Sequence, residues 1–370
     1  MQPFTLLIKP SGSDCNLNCR YCFYKCRYKI GQTEQRMSEQ VLEKLVKDYL
    51  KLRFPTCGFA WQGGEPTLMG AEFFEKVIEL QKQYGGAGQV VCNSLQTNGI
   101  LLDEKWCRLL SRNKFLVGIS LDGPKELHDD YRLDHSGRGT FDRVMRAIET
   151  CKRYNVAWNI LVLLNDRNVQ QPDALFDFFV EHKMKYLQLI PCVENDPRTG
   201  QLAEFSVSPE QYGEFLCRLF DRWYEYGPAR LSIRDFDSML NYYVNGAHTM
   251  CVFDKRCSDY IVIEYNGDAF ACDFFVEPRW RLGNIFEQPI EALAGGAKKR
   301  EFSRQKELLC SRCLACRHLQ MCRGGCLKDR LAGNEGAFGR QSYLCGSYKR
   351  FFEHSLGRFM EIAAALKRTM

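Results

Sequence analysis

The sequence predicts an α/β protein built on a parallel sheet, with a smaller cysteine-rich part after it. Three observations carry this. Six apolar runs of strand length alternate with amphipathic helical stretches through the first two-thirds of the chain. The most distinctive residues fall in the loops after the first four of those runs. Nine of the nineteen cysteines gather between Cys251 and Cys345.

The elements follow in order. Phe4–Lys9 reads as the first strand, then a cysteine-rich loop, then a helix from Ser38 to Leu52. Cys57–Gln62 is the second strand, with a Gly-Gly loop and a helix over Ala71–Tyr84. Val90–Thr97 is the third, Asn98-Gly99 its turn, and Asp103–Ser111 its helix. Phe115–Leu121 is the fourth, with a helix over Thr140–Tyr154. Trp158–Leu164 is the fifth, and Pro172 suits the first turn of the helix after it. Tyr186–Cys192 is the sixth. Ser208-Pro209 opens a helix to Tyr226, with Gln211 placed for a capping box. Near-continuous apolar strands imply burial on both faces and right-handed parallel crossovers. Periodicity leaves a partial barrel and an open doubly wound sheet equally available, and both place chemistry at the C-terminal strand ends.

After Asp235 the pattern changes. Ile261–Glu264 and Asp268–Ala271 flank Tyr265-Asn266-Gly267 as a hairpin. The region has too little apolar periodicity for its own core, so metal is expected to organise it. Ser347–Lys367 reads as a closing helix. The expected division is 1–235, 236–346 and 347–370.

Composition narrows the class. The 370 residues are 45% hydrophobic and 26% charged, which excludes a disordered or collagen-like chain. No apolar run reaches the roughly 18 residues of a membrane span. The N-terminal stretch lacks the order of a signal peptide, so a cytoplasmic protein is expected. A reducing compartment does not favour a disulfide framework, and this many thiols point to metal.

Cys15-x3-Cys19-x2-Cys22 places three thiols in eight residues after the first strand. Three thiolates on a four-iron cubane leave one iron open for a ligand with an amine and a carboxylate. The alternative, a zinc knuckle, requires a fourth ligand. This segment, CNLNCRYCFY, resembles the radical S-adenosylmethionine (SAM) motif, with Tyr21 before the third cysteine. Gly63-Gly64-Glu65-Pro66 resembles that superfamily's GGEP element, which holds the amino group of the cofactor. By the same resemblance Asn98, Ser120, Asp122 and Arg132 contact its ribose, methionine or carboxylate, and Tyr24 and Gln62 lie on the substrate or cofactor side. The resemblance implies a partial (β/α)6 TIM-type barrel.

The C-terminal pattern, Cys251-x5-Cys257, Gly267-x4-Cys272, Cys313-x2-Cys316-x5-Cys322-x3-Cys326 and Cys345, resembles the SPASM iron–sulfur domain. That family's pattern implies one auxiliary cluster on Cys251, Cys257, Cys272 and Cys326, and another on Cys313, Cys316, Cys322 and Cys345. Two four-thiolate zinc sites are the alternative. Three [4Fe–4S] clusters reduce the formal +6 to about +1, which removes the case for a nucleic-acid partner. Of the remaining cysteines, Cys57, Cys92 and Cys192 are expected in the core. Cys26 is kept out of the first cluster because it would close the open iron. Cys310 stands at CxxC spacing from Cys313 and confuses the assignment. None of the six histidines has ligand spacing, and surface or capping places are expected for them.

LLIKP at Leu6–Pro10, FAWQGGEPTLMG at Phe59–Gly70, NSLQTNG at Asn93–Gly99, FLVGISLDGPKELH at Phe115–His128, CDFFV at Cys272–Val276 and WRLGNI at Trp280–Ile285 resemble anaerobic sulfatase-maturating enzymes. The resemblance implies oxidation of a sulfatase Cys or Ser, in a Cys/Ser-x-Pro/Ala-x-Arg segment, to Cα-formylglycine. A 5′-deoxyadenosyl radical would take a Cβ hydrogen. Asp273 would take the thiol or hydroxyl proton, its pKa raised by the neighbouring cluster. The residual electron would leave through an auxiliary cluster. Flavodoxin or ferredoxin is the implied electron donor, and no membrane is involved. Two other readings compete. A maturase forming thioether or other crosslinks in a ribosomal peptide shares both domains, but only three residues precede Phe4, which leaves no leader-binding extension. A non-catalytic iron–sulfur carrier or zinc module would not use the open iron and GGEP.

Overall fold

The computed structural model describes residues 2–24, 35–257, 259–333, 337 and 339–369. Cys26 lies outside the described residues. The strands are β1 (Thr5–Lys9), β2 (Thr56–Trp61), β3 (Val90–Thr97), β4 (Leu116–Ser120), β5 (Ala157–Leu164), β6 (Tyr186–Pro191), β7 (Ser232–Ile233), β8 (Tyr260–Glu264), β9 (Asp268–Phe270) and β10 (Arg281–Asn284). The longer helices are α1 (Glu39–Lys51), α2 (Ala71–Tyr84), α3 (Glu104–Arg112), α4 (Phe141–Arg153), α5 (Pro172–Glu181), α6 (Pro209–Tyr226), α7 (Arg234–Asn245) and α8 (Cys345–Thr369). The chain forms two compact units. The first comprises Met1–Ser120, Arg132–Trp158 and Cys257–Ser303; the second comprises Leu121–Tyr131, Asn159–Arg256 and Arg304–Met370.

In the first unit β1, β2, β3 and β4 are parallel neighbours, with Leu6 opposite Phe59 and Leu95 opposite Val117. Local chemistry starts the helices where the sequence predicts them. The Ser38 side chain accepts from the Val41 amide, and Asp103 accepts from Trp106. Phe59, Trp61, Phe74 and Trp106 pack edge-to-face or stacked behind the sheet.

Two features depart from expectation. First, the hairpin does not stand on its own. β8 lies parallel to β1 over its whole length, Thr5 opposite Tyr260 through Lys9 opposite Glu264, and β9 and β10 follow antiparallel. The apolar run YIVI finds its core against β1, which local periodicity cannot show. Second, β2 and β3 are not buried on both faces, unlike β4, where Val117 to Ser120 are all buried. In β2, Cys57, Phe59 and Trp61 are buried while Gly58 and Ala60 are half-buried; in β3, Asn93, Leu95 and Thr97 are buried and Gln96 is exposed. One face packs under helices, and the other is open to solvent at alternating positions. Cys92 falls on the open face near the start of β3 and is exposed, against the expectation of a core place.

In the second unit β5, β6 and β7 are parallel neighbours. The capping box of α6 has both bonds, Ser208 to the Gln211 amide and Gln211 to the Ser208 amide. The closing helix runs longer than expected and packs on α6 and α7 through Phe351, Phe359, Phe220 and Phe236. Helix α7 was not expected. His128, expected at the surface, is fully buried, and its Nδ1 accepts from the Asp122 amide at 3.4 Å.

Candidate functional site

The first unit gathers three groups of residues. The loop after β1 carries Cys15, Cys19 and Cys22. The Leu17 backbone amide donates to the Cys15 sulfur at 3.4 Å, and the Asn98 side-chain Nδ2 stands 3.7 Å from it. Asn98 also donates to Asn16 Oδ1 at 2.8 Å. The GGEP loop lies against this one. The Gly64 and Glu65 amides donate to the carbonyls of Gly12 and Asp14 at 2.8 and 2.7 Å. A Cβ on Gly64 would stand 2.0 Å from the Asp14 carbonyl oxygen, and Gly63 has a φ of +124°, so both positions require glycine.

Glu65 is fully buried, and its carboxylate looks into its own loop. Oε1 accepts from the Thr67 amide at 3.0 Å, the Thr67 hydroxyl at 2.5 Å and the Thr97 hydroxyl at 2.8 Å. Oε2 accepts from the Asn98 amide at 2.8 Å. Burial pushes this carboxyl up, and the four donors oppose that rise. One lone pair of Oε2 is left for a further donor such as an ammonium. Burial, and next the charge of Glu65, pushes the Cys15 thiol above its ordinary range, with Cys19 and Cys22 adding to it.

The second group is Tyr21 and Arg132, the guanidinium 5.4 Å from the ring centre. The third centres on Asp273. Its Oδ1 is 2.5 Å from Lys9 Nζ, and Gln62 donates to Oδ2 at 3.1 Å. Lys9 is wholly buried, reaches Glu264 at 3.3 Å and lies over the Tyr24 ring at 4.9 Å. Cys272, next to Asp273, is contacted by the Tyr260 hydroxyl at 3.0 Å, and burial followed by the charge of Cys257 pushes its thiol up to about 12. Ser120 is buried at the end of β4. Asp122 belongs to the second unit, where it accepts from the Leu163 amide at 3.1 Å.

In the second unit Cys313, Cys316, Cys322 and Cys345 line one pocket. Burial, then the neighbouring Cys310 thiol, pushes Cys313 up to about 12, with Cys345 and Cys322 adding to it. Cys322 is pushed up to about 11, first by burial. Among the described residues no three His, Cys, Asp or Glu converge closely enough for a single ion. A tetrahedral zinc would draw its sulfurs to about 3.8 Å from one another. Four thiols lining one pocket without single-ion convergence fit a multi-iron core better than one ion. The raised proton affinity of Cys313 and Cys322 is a cost that a cationic core among the thiols reverses. Cys257 and Cys272 lie in the first unit, and Cys251 and Cys326 in the second.

The cysteine loop, the glycine loop against it and the thiol pocket agree with what known proteins show. Residues 10–179 match the Radical SAM superfamily, and residues 251–317 match SPASM, an iron–sulfur cluster-binding domain. The chain is 40% identical to a cysteine-type anaerobic sulfatase-maturating enzyme of Clostridium perfringens, over 99% of this chain and 100% of that one. The chain belongs to the anaerobic sulfatase-maturating enzymes. A serine-type member from Bacteroides thetaiotaomicron is 35% identical over 95% of this chain and 89% of its own. A solved structure described as "Native anSMEcpe with bound AdoMet and Kp18Cys peptide" superposes with a TM-score of 0.92 at 40% identity, covering 98% of this chain and 100% of that one. The partial barrel with a C-terminal SPASM domain is therefore the fold of this family member.

Sequence reasoning missed Lys9 and Glu264. The signal was present. Lys9 ends an otherwise apolar strand, LLIK, and a lysine in a buried parallel strand needs a charged partner. Its partners lie about 255 and 264 residues away, so spacing could not supply them. The expected effect on Asp273 considered the cluster's charge alone, whereas the structure sets a buried ammonium on the same carboxylate.

Proposed function

We propose that this chain oxidises a Cys or Ser side chain in a Cys/Ser-x-Pro/Ala-x-Arg segment of a sulfatase polypeptide to Cα-formylglycine. The observation that supports this most is the Lys9–Asp273–Gln62 group in the first unit, a carboxylate ion-paired at one oxygen and hydrogen-bonded at the other, beside Cys272. Bound S-adenosylmethionine with its iron–sulfur cluster supplies a radical able to take hydrogen from an unactivated carbon. Cys15, Cys19 and Cys22 would hold that cluster. The open lone pair of Glu65, the glycine backbone, Asn98, Ser120, Asp122, Tyr21 and Arg132 would hold the cofactor. Cys251, Cys257, Cys272 and Cys326, and separately Cys313, Cys316, Cys322 and Cys345, would hold two auxiliary clusters.

The protein's own part is orientation and proton transfer. Gln62 donates to Asp273 Oδ2, while Oδ1 stands in ion-pair contact with Lys9 but has no hydrogen-bond donor among the described residues, which leaves it an acceptor for the substrate thiol or hydroxyl proton. Tyr24, over the Lys9 ammonium, borders the same place. Among the described residues no helix is long and apolar enough to cross a membrane. A cytoplasmic enzyme supplied by flavodoxin or ferredoxin is the accompanying proposal, with the division 1–235, 236–346 and 347–370. Anaerobic incubation of the reconstituted, reduced enzyme with S-adenosylmethionine and an 18-residue peptide carrying the motif tests the reading. A mass loss of about 18 Da from Cys or about 2 Da from Ser is expected from the composition of formylglycine. Unchanged mass in both peptides overturns it.

A further inference from the structure

Lys9 is 0% exposed, and its Nζ contacts two carboxylates. A buried ammonium is costly unless it is paired. One carboxylate would suffice for that, and Glu264, its register partner on β8, is at hand at 3.3 Å. The shorter contact, 2.5 Å, nevertheless goes to Asp273. The ammonium therefore spans two acids, one on a strand and one in the turn after the hairpin. Gln62, just past the end of β2, holds the other Asp273 oxygen at 3.1 Å. An ion pair at Oδ1 and a hydrogen bond at Oδ2, from two neighbouring strand ends, restrict how that carboxylate can turn. The ammonium also lies over the Tyr24 ring, 4.9 Å from its centre.

We infer that Lys9 is a positioning residue: its ammonium fixes the Asp273 carboxylate in the orientation from which it accepts the substrate proton, and Glu264 anchors the ammonium. This rests on the reading of Asp273 as the base. Mispositioning of a reacting group costs on the order of a hundredfold.

The test compares Lys9→Met, the charge-balanced pair Lys9→Met with Glu264→Gln, and Asp273→Asn, each as the reconstituted full chain. Four quantities are read: iron content, peptide KM, formylglycine turnover, and 5′-deoxyadenosine released per formylglycine formed. Lys9→Met should keep its iron and hold peptide KM within about threefold. Its turnover should fall between about tenfold and a hundredfold, and 5′-deoxyadenosine should be released in excess. The paired variant has no uncompensated acid on β8, and it should show the same loss. Restored turnover in the pair would mean that Lys9 only neutralises Glu264, and the inference falls. Loss of iron in both Lys9 variants would make it a folding residue and overturn the inference equally. If Asp273→Asn loses turnover while Lys9→Met does not, the positioning role alone is wrong. If Asp273→Asn turns over normally, the base reading fails and takes the inference with it.

Discussion

Asp273 shows how little a residue's own chemistry says about its task. It stands next to Cys272, and its surroundings are a buried ammonium, an amide and a second carboxylate one strand away. Replacing it by Asn keeps shape and the Gln62 neighbour and removes the proposed proton acceptor. Peptide oxidation by Asp273→Asn should fall on the order of a hundredfold or more, while cofactor cleavage persists. Parallel assays of 5′-deoxyadenosine and formylglycine read this directly. Glu65 makes the complementary point. Its carboxylate shapes the loop through Thr67, Thr97 and Asn98 and leaves a single acceptor position.

The loops after β1 and β2 act as a pair, because the glycine backbone of one is seated on the carbonyls of the other. Gly64→Ala would drive a methyl into the Asp14 backbone. Strain of about 1–3 kcal/mol translates into a loss of S-adenosylmethionine affinity of roughly tenfold to a hundredfold. Equilibrium binding to the reconstituted protein checks this, and iron content should hold. Most element boundaries were legible, since Ser38, Asp103 and the Ser208–Gln211 box are local signals that tertiary contacts do not override. The place of β8 was not legible. Its partner, β1, lies some 255 residues upstream. The same distance hid Lys9. Likewise, the alternating burial of β2 and β3 follows from an open sheet face, which an apolar run does not reveal.

Across the molecule, eleven cysteines stand in three proposed ligand sets, and each complete cubane contains four irons. Reconstituted protein should hold about twelve irons and twelve sulfides per chain. About four irons with two zincs would reassign the C-terminal sets, and Cys310→Ser should leave the count unchanged. A pH effect arises in the second unit. Asp329 is buried, and burial raises its carboxyl to about 6, with Glu194 adding and Lys328 and Lys306 opposing. A carboxyl raised on folding adds stability while it stays protonated, below its unfolded value of about 3.9, and that stability is lost as pH rises through 6. Asp329→Asn should therefore raise Tm relative to the natural chain by more at pH 7.5 than at pH 5.5. An equal or smaller gain at pH 7.5 would count against it.

The parallel seating of β8 on β1 has a consequence for how the chain is made. Until Tyr260–Glu264 has left the ribosome, one side of β1 presents unpaired backbone amides and carbonyls. The nascent chain carries that sticky edge through about 250 residues of synthesis. A truncation ending before the hairpin keeps it permanently and also leaves Lys9 without either acid. Such fragments should aggregate, and chaperone dependence should concentrate on this interval of translation.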